Sequence, residues 1–262
     1  MTAPQTTAIQ LSPDLPLTVT AQGSGRPVLV LHGGGGPATV AGLAAHLAQT
    51  SHALTPTHPG WNGTPRPERL GTPAAYARTY LDLLHAQDLR DVLVIGSSLG
   101  GWIGAELALQ DTEGRVSGLI LIDAGGIDVP TAPILNVFGL SPAELAAHSF
   151  HDPAKFRVDP ATVTEHARAT QQANMATMNH IAGDPYMHAP TLRARLSGIA
   201  LPTLVLWGAS DGVFTPAYGQ ALAQAIPGAQ FTVIPEAGHL PQIEQPEATF
   251  ALVDAFAAGQ RA

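Results

Sequence analysis

Seven short apolar runs, rich in β-branched residues, recur along the chain. They are LTVTA (17–21), VLVLH (28–32), HALTP (52–56), DVLVIG (91–96), GLILID (118–123), TLVLW (203–207) and FTVIP (231–235). An uninterrupted apolar run of this length suits a strand covered on both faces, as in a parallel sheet. Helical patterns separate the later runs, at 38–49, 72–87, 99–110, 216–226 and 246–258. Pro216 and Pro246 stand where a first helical turn begins, with Thr215 and Gln245 before them. Strand then helix, repeated, implies right-handed crossovers and a doubly wound α/β sheet. LTVTA alternates more than the rest, and GSGRP joins it to VLVLH, which predicts a hairpin of these two strands.

One interval breaks the rhythm. Between GLILID and TLVLW lie about 80 residues without a strand pattern, with predicted helices at 141–149, 160–182 and 189–197, the whole interval punctuated by prolines. A crossover needs roughly a dozen residues, so the excess predicts a helical insertion. The chain then divides into a core of 1–124 and 199–262 and an insertion of 125–198. The insertion is either a stabilising appendage or a lid. The lid is favoured, because ligands in open α/β sheets bind beyond the carboxyl ends of the strands.

Composition narrows the function. A net charge of −8 and a single lysine, Lys155, argue against nucleic acid and against a polybasic membrane contact. Without cysteine there is no disulfide, thiolate metal site or cysteine nucleophile. MTAPQTTAIQLSPDLP has neither a basic nor an apolar leader region, and no apolar stretch approaches the ~20 residues of a membrane span. The expectation is a cytoplasmic globular protein, monomer or homodimer, with a small-molecule substrate.

DVLVIG-SSLGGWIGAEL reads as strand, sharp turn, helix. A side chain at the tip of such a turn needs positive φ and small residues two places either side, since strand and helix nearly touch there. Ser98 has Gly96 and Gly100 at those places, whereas Ser97 has Ile95 and Leu99. Ser98 is therefore the candidate nucleophile, in place of a mere glycine-rich turn or an anion site at a helix start. VLVLH runs into GGGGP at 33–37, which lacks the G-K-[S/T] of a Walker loop and the G-x-G-x-x-G register of a dinucleotide site. A loop of this kind suits backbone N–H groups turned toward a carbonyl oxygen, with Gly34 and Leu99 the expected donors.

A serine nucleophile needs a base, and the chain has eleven histidines. His239, in VIPEAGHLPQIEQP, follows the last predicted strand at the carboxyl edge that carries Ser98. Two carboxylates compete to orient it. Asp211 follows the penultimate strand and gives the chain order Ser, Asp, His; Asp123 ends the strand before the insertion. Asp211 is preferred, leaving Asp123 as a pocket-wall residue. Trp102, Leu135, Phe138, Met175 and Met178 are expected to line an apolar pocket, or else to form the core of the insertion.

Taken together, HGGGG (32–36), HPGWNGTPRP (58–67), GSSLGG (96–101), LWGASD (206–211) and AGHLPQIEQP (237–246) resemble the α/β-hydrolase superfamily across nearly the whole chain. The resemblance implies an eight-stranded, mostly parallel sheet with helices on both faces, a helical cap after strand 6, and a Ser-Asp-His triad needing no metal or organic cofactor. Many relatives carry histidine at position 97 and aspartate near 58, where this chain has Ser97 and His58. The implied activity is hydrolysis of a small or medium, mainly apolar ester. Two alternatives stay open: a carbon–carbon bond hydrolase of a vinylogous diketone, for which Arg157, Arg168, Arg193 or Arg195 would bind a substrate carboxylate, and a ligand receptor that keeps the triad without turnover.

Overall fold

The apolar runs become strands of one sheet in the computed structural model, which describes residues 3–156 and 162–259. Its strands are β1 (Gln5–Ser12), β2 (Leu15–Gly23), β3 (Pro27–Leu31), β4 (His52–Pro56), β5 (Val92–Ser97), β6 (Val116–Ile122), β7 (Thr203–Gly208) and β8 (Gln230–Ile234). They lie in the order β1-β2-β4-β3-β5-β6-β7-β8. From β4 to β8 all neighbours are parallel; β1–β2 and β2–β4 are antiparallel.

Alternate residues of the central strands serve opposite faces, as the two-residue strand period requires. Leu29, Leu31, Val94, Leu119, Leu121 and Val205 join one apolar cluster, with α2 (Pro73–Ala86) and α3 (Leu99–Gln110) packed over it. Val28, Val30, Leu93, Ile95, Ile120 and Ile122 face the other way, toward α1 (Ala41–Leu47) and α9 (Pro246–Gly259). Between β6 and β7 come α4 (Pro142–Ser149), α5 (Glu165–Ala182) and α6 (Leu192–Arg195). A capping box of Ser141 and Glu144 starts α4, and Thr164 Oγ1 accepts Ala167 N–H at the start of α5. Residues 160 and 161 of the predicted 160–182 helix, like Arg157, lie outside the described residues. The last core helices are α7 (Pro216–Gln224) and the short α8 (Pro241–Glu244), which precedes α9. No helix among the described residues is long and apolar enough to cross a membrane.

The predicted hairpin of LTVTA with VLVLH does not form. β4 inserts between β2 and β3, so the antiparallel partners of β2 are β1 and β4. The reason lies in burial. β3 is buried along almost its whole length and takes parallel neighbours on both sides, while half-buried β2 suits a place near the sheet edge. The hairpin that does exist joins β1 to β2 through Pro13-Asp14, a turn dipeptide whose upstream strand has no apolar pattern.

Candidate active site

Three turns meet beyond the carboxyl ends of β5, β7 and β8. Ser98, between β5 and α3, has φ 55° and ψ −118°, a strained conformation held by its N–H bond to Ile122 O at 2.9 Å. The flanking glycines are sterically required. A Cβ on Gly96 would lie 2.2 Å from Gly100 O, and one on Gly100 would lie 2.3 Å from Leu31 O. Gly101 is equally tight, with a Cβ there 2.4 Å from that of Ala124. Gly100→Ala is therefore expected to lose on the order of 1–3 kcal/mol, from backbone that must move. Gly42→Ala, in α1 with nothing within 4 Å of the added carbon, should gain about 0.5–1 kcal/mol. Urea midpoints of the two variants check the opposite signs; equal midpoints would refute the steric account.

His239 Nε2 lies 3.0 Å from Ser98 Oγ, and His239 Nδ1 lies 2.8 Å from Asp211 Oδ2. The second oxygen of Asp211 accepts N–H bonds from Val213 (2.8 Å) and Phe214 (3.1 Å). Asp211 thus receives three donors and His239 is aligned between acid and serine. Ser98 is only 7% exposed, so the site is nearly closed in this conformation. The neighbouring Ser97 turns away and accepts from Gln242 Nε2 at 3.3 Å.

The glycine turn lies against Ser98: a Cβ on Gly33 would sit 2.9 Å from Ser98 Cβ. Gly33 O accepts from His32 Nδ1 at 2.7 Å and from Gly36 N–H at 3.1 Å, and Gly34 O accepts from Trp61 Nε1 at 2.9 Å. A trans amide points its N–H opposite its C=O, so fixing Gly33 O also fixes the Gly34 N–H direction. Neither Gly34 N–H nor Leu99 N–H has an acceptor among the described residues.

Behind this turn is a buried network that the sequence reading missed. His58 N–H donates to His32 Nε2 at 3.0 Å, His58 Nε2 donates to His32 O at 2.8 Å, and Tyr80 O–H donates to His58 Nδ1. These partners assign both imidazoles as neutral, with fixed tautomers. Burial lowers His32 to about 4 against the opposing pull of Gly33 O. Burial, then the neighbouring His32, also hold His58 well below the ordinary histidine range. His58 and Trp61 belong to HPGWNGTPRP, a motif that marked the family without disclosing this task.

The same motif meets α5. Asn62 N–H donates to Asn174 Oδ1 (2.8 Å), Asn174 Nδ2 donates to Asn62 Oδ1 (3.0 Å), and Thr177 Oγ1 donates to Gly60 O (3.2 Å). Met178 sits directly on the turn, its Sδ 2.4 Å from where a Gly34 Cβ would be. Of the other expected pocket residues, Trp102 is buried against Gly126, and Met175 packs at the edge of the main cluster. Leu135 and Phe138 gather around Tyr186: Leu135 O accepts from its hydroxyl at 2.9 Å, and Phe138 meets its ring at 5.4 Å. Asp123 has no exposed surface; it is packed against Asp211 and His239 rather than facing an opening. Asp123, Asp211 and His239 offer ligand atoms within 4.8 Å of one another, the one such group among the described residues. The bonds of His239 and Asp211 already engage them with each other and with Ser98, Val213 and Phe214.

A hydrogen-bonded Ser-His-Asp series at the strand ends of such a sheet defines a class, and sequence comparison agrees. The chain belongs to the alpha/beta hydrolase family, whose model matches residues 28–252. It is 28% identical to a 2-hydroxymuconate semialdehyde hydrolase of Pseudomonas putida, over 90% of this chain and 89% of that one. It is 29% identical to a pimeloyl-[acyl-carrier protein] methyl ester esterase of Aromatoleum aromaticum, over 87% of this chain and 97% of the relative. The fold matches the crystal structure of a serine hydrolase from the polyaromatic hydrocarbon-degrading bacterium Cycloclasticus zankles. That match has a TM-score of 0.80 at 21% identity, covering 98% of this chain and 99% of the other.

Proposed function

We propose that the protein is a serine hydrolase that cleaves a small or medium, mainly apolar carboxylic ester through an acyl-enzyme on Ser98. The observation that carries this reading is the unbroken series Asp211–His239–Ser98 beside two amide N–H groups without acceptors among the described residues. His239 takes the Ser98 proton as Oγ attacks the ester carbonyl, and Asp211 stabilises the imidazolium. Gly34 and Leu99 N–H groups receive the oxyanion. The alcohol leaves with the proton from His239, and water, deprotonated by the same imidazole, releases the acid. No step calls for a metal or organic cofactor.

Residues 125–198 act as the cap in this reading. The near-complete burial of Ser98 and the seating of Met178 on Gly34 support it, because a substrate must displace that contact to reach the serine. Met178, Met175 and Trp102 then offer apolar surface to the acyl or alkyl group, with Leu135 and Phe138 further out.

Cleavage of a vinylogous diketone is the second reading, favoured by the HGGGGP turn and by similarity to a semialdehyde hydrolase. Such a substrate carries a carboxylate, and the three candidate arginines among the described residues favour the ester. Arg195 is paired with buried Glu106 (3.0 Å to Oε2), Arg193 donates to Asp128 O (3.3 Å), and Arg168 is exposed on α5. Chromogenic esters of increasing acyl length, run beside a meta-cleavage dienoate, test the choice. Short and medium esters should turn over many times per protein, and an organophosphonate should label Ser98. Preference for the dienoate would reverse the choice, and a single event per protein would favour a receptor.

A further inference from the structure

Asp123 is the buried acid that this mechanism leaves unused. It directly follows β6, with φ 45°, unusual for a residue other than glycine, and its N–H donates to Leu206 O at 3.0 Å. Its Oδ1 accepts Gly208 N–H at 2.9 Å, while its Oδ2, fully buried, has no conventional donor among the described residues. That oxygen belongs to a carboxyl grouped with Asp211 and His239 within 4.8 Å. An orphaned oxygen here would cost far more than an ordinary unmade hydrogen bond, and a second buried anion beside Asp211 would cost more still.

We propose that Asp123 is a proton-bearing positioning residue, whose neutral carboxyl donates a hydrogen bond to the Asp211 carboxylate and holds it in line with His239. One proton shared between two carboxyls removes both difficulties, and the donor sets decide which acid carries it. The oxygens of Asp211 already accept from Val213, Phe214 and His239, whereas Asp123 accepts, among the described residues, from Gly208 N–H alone and keeps an oxygen free to carry the proton. The charged and titratable groups around Asp123 agree. Burial, then the charge of Asp211, raise its pKa well above the usual carboxylate range, with a further push from Glu244 on α8, and Gly208 N–H opposes them. Asp123 thereby adds a fourth donor to Asp211 without adding a charge beside the imidazole.

Asparagine copies the neutral acid: its amide can accept Gly208 N–H and donate to Asp211, and alanine can do neither. This inference rests on the ester-hydrolase reading, so its test has one arm free of turnover. The infrared difference spectrum of wild type minus Asp123→Asn at neutral pH should contain the carbonyl band of a protonated carboxyl; absence of that band overturns the proposal. In ester turnover, Asp123→Asn should stay within about threefold of wild type, with the acid limb of its pH profile unmoved. Asp123→Ala should lose about 10–100-fold in kcat with little change in KM. An asparagine variant as impaired as the alanine, or an acid limb shifted by a unit, would mean that Asp123 acts as an anion and would end the proposal. If the alanine variant does not fold, the asparagine variant and the infrared band still decide. A wild type without ester turnover would fail the hydrolase reading, and the band would then decide Asp123 alone.

Discussion

Ester turnover should fall by about 10³–10⁶-fold in Ser98→Ala, with KM within a few-fold of wild type. The alanine removes the Oγ that lies 3.0 Å from His239 Nε2, and with it the acyl-enzyme of the proposed mechanism. The fold should be unharmed, because the side chain makes no other hydrogen bond among the described residues and Gly96 and Gly100 still shape the turn. Any residual rate would come from water attacking a carbonyl still held by Gly34 and Leu99 N–H groups. Ser97→Ala is the informative partner. Its hydroxyl accepts one long bond from Gln242, so the variant should keep most of its activity. Single-turnover and steady-state measurements on both variants separate chemistry from binding. Equal losses in the two, or survival of turnover in Ser98→Ala, would exclude Ser98 as nucleophile.

That contrast between adjacent serines was legible without coordinates, because it rests on local sterics. Only Ser98 has glycine at both flanking places, and the structure shows those glycines against backbone atoms. The parallel strands were legible for a similar reason, since burial on both faces writes itself as a continuous apolar run. β1 was not, because QTTAIQLS is an exposed edge strand held by backbone bonds that any polar sequence can make. Half-burial of β2 showed in its alternation, but the identity of its neighbour did not, since that depends on where the α1 crossover delivers β4. Around the site, Ser98, Asp211 and His239 follow from their places at strand ends. The network of His58, Tyr80 and Trp61 does not. It joins segments far apart in sequence, and buried imidazoles look like surface ones until their partners are seen.

Acid should destabilise the fold through those same imidazoles, before most carboxylates titrate. An unfolded histidine has a pKa of about 6.5, whereas buried His32 lies at about 4. Above pH 6.5 neither state is protonated at this position, and the stability of the neutral site is fully present. As pH falls from about 6.5 to 4, the unfolded chain takes up a proton that folded His32 refuses, and stability declines. The full effect is about 3 kcal/mol for His32, of which roughly 2 kcal/mol is lost by pH 5. His58, lowered well below its ordinary value by burial and by its neighbour, adds to the loss in the same direction. Asp123 works oppositely: its raised pKa means that the folded state takes up a proton before the unfolded one, so acid relieves a cost. Urea unfolding in the Asp123→Asn background removes that opposing contribution. There, stability should be level near pH 7–8 and fall by at least about 2 kcal/mol by pH 5. Histidine ring resonances should report His32 and His58 still neutral at that pH. A flat stability profile, or a folded His32 that titrates near 6.5, would show that the two imidazoles are not held neutral. The glycine turn would then lack the fixed acceptor, His32 Nε2, and the fixed donor, His32 Nδ1–H, that aim its Gly34 N–H.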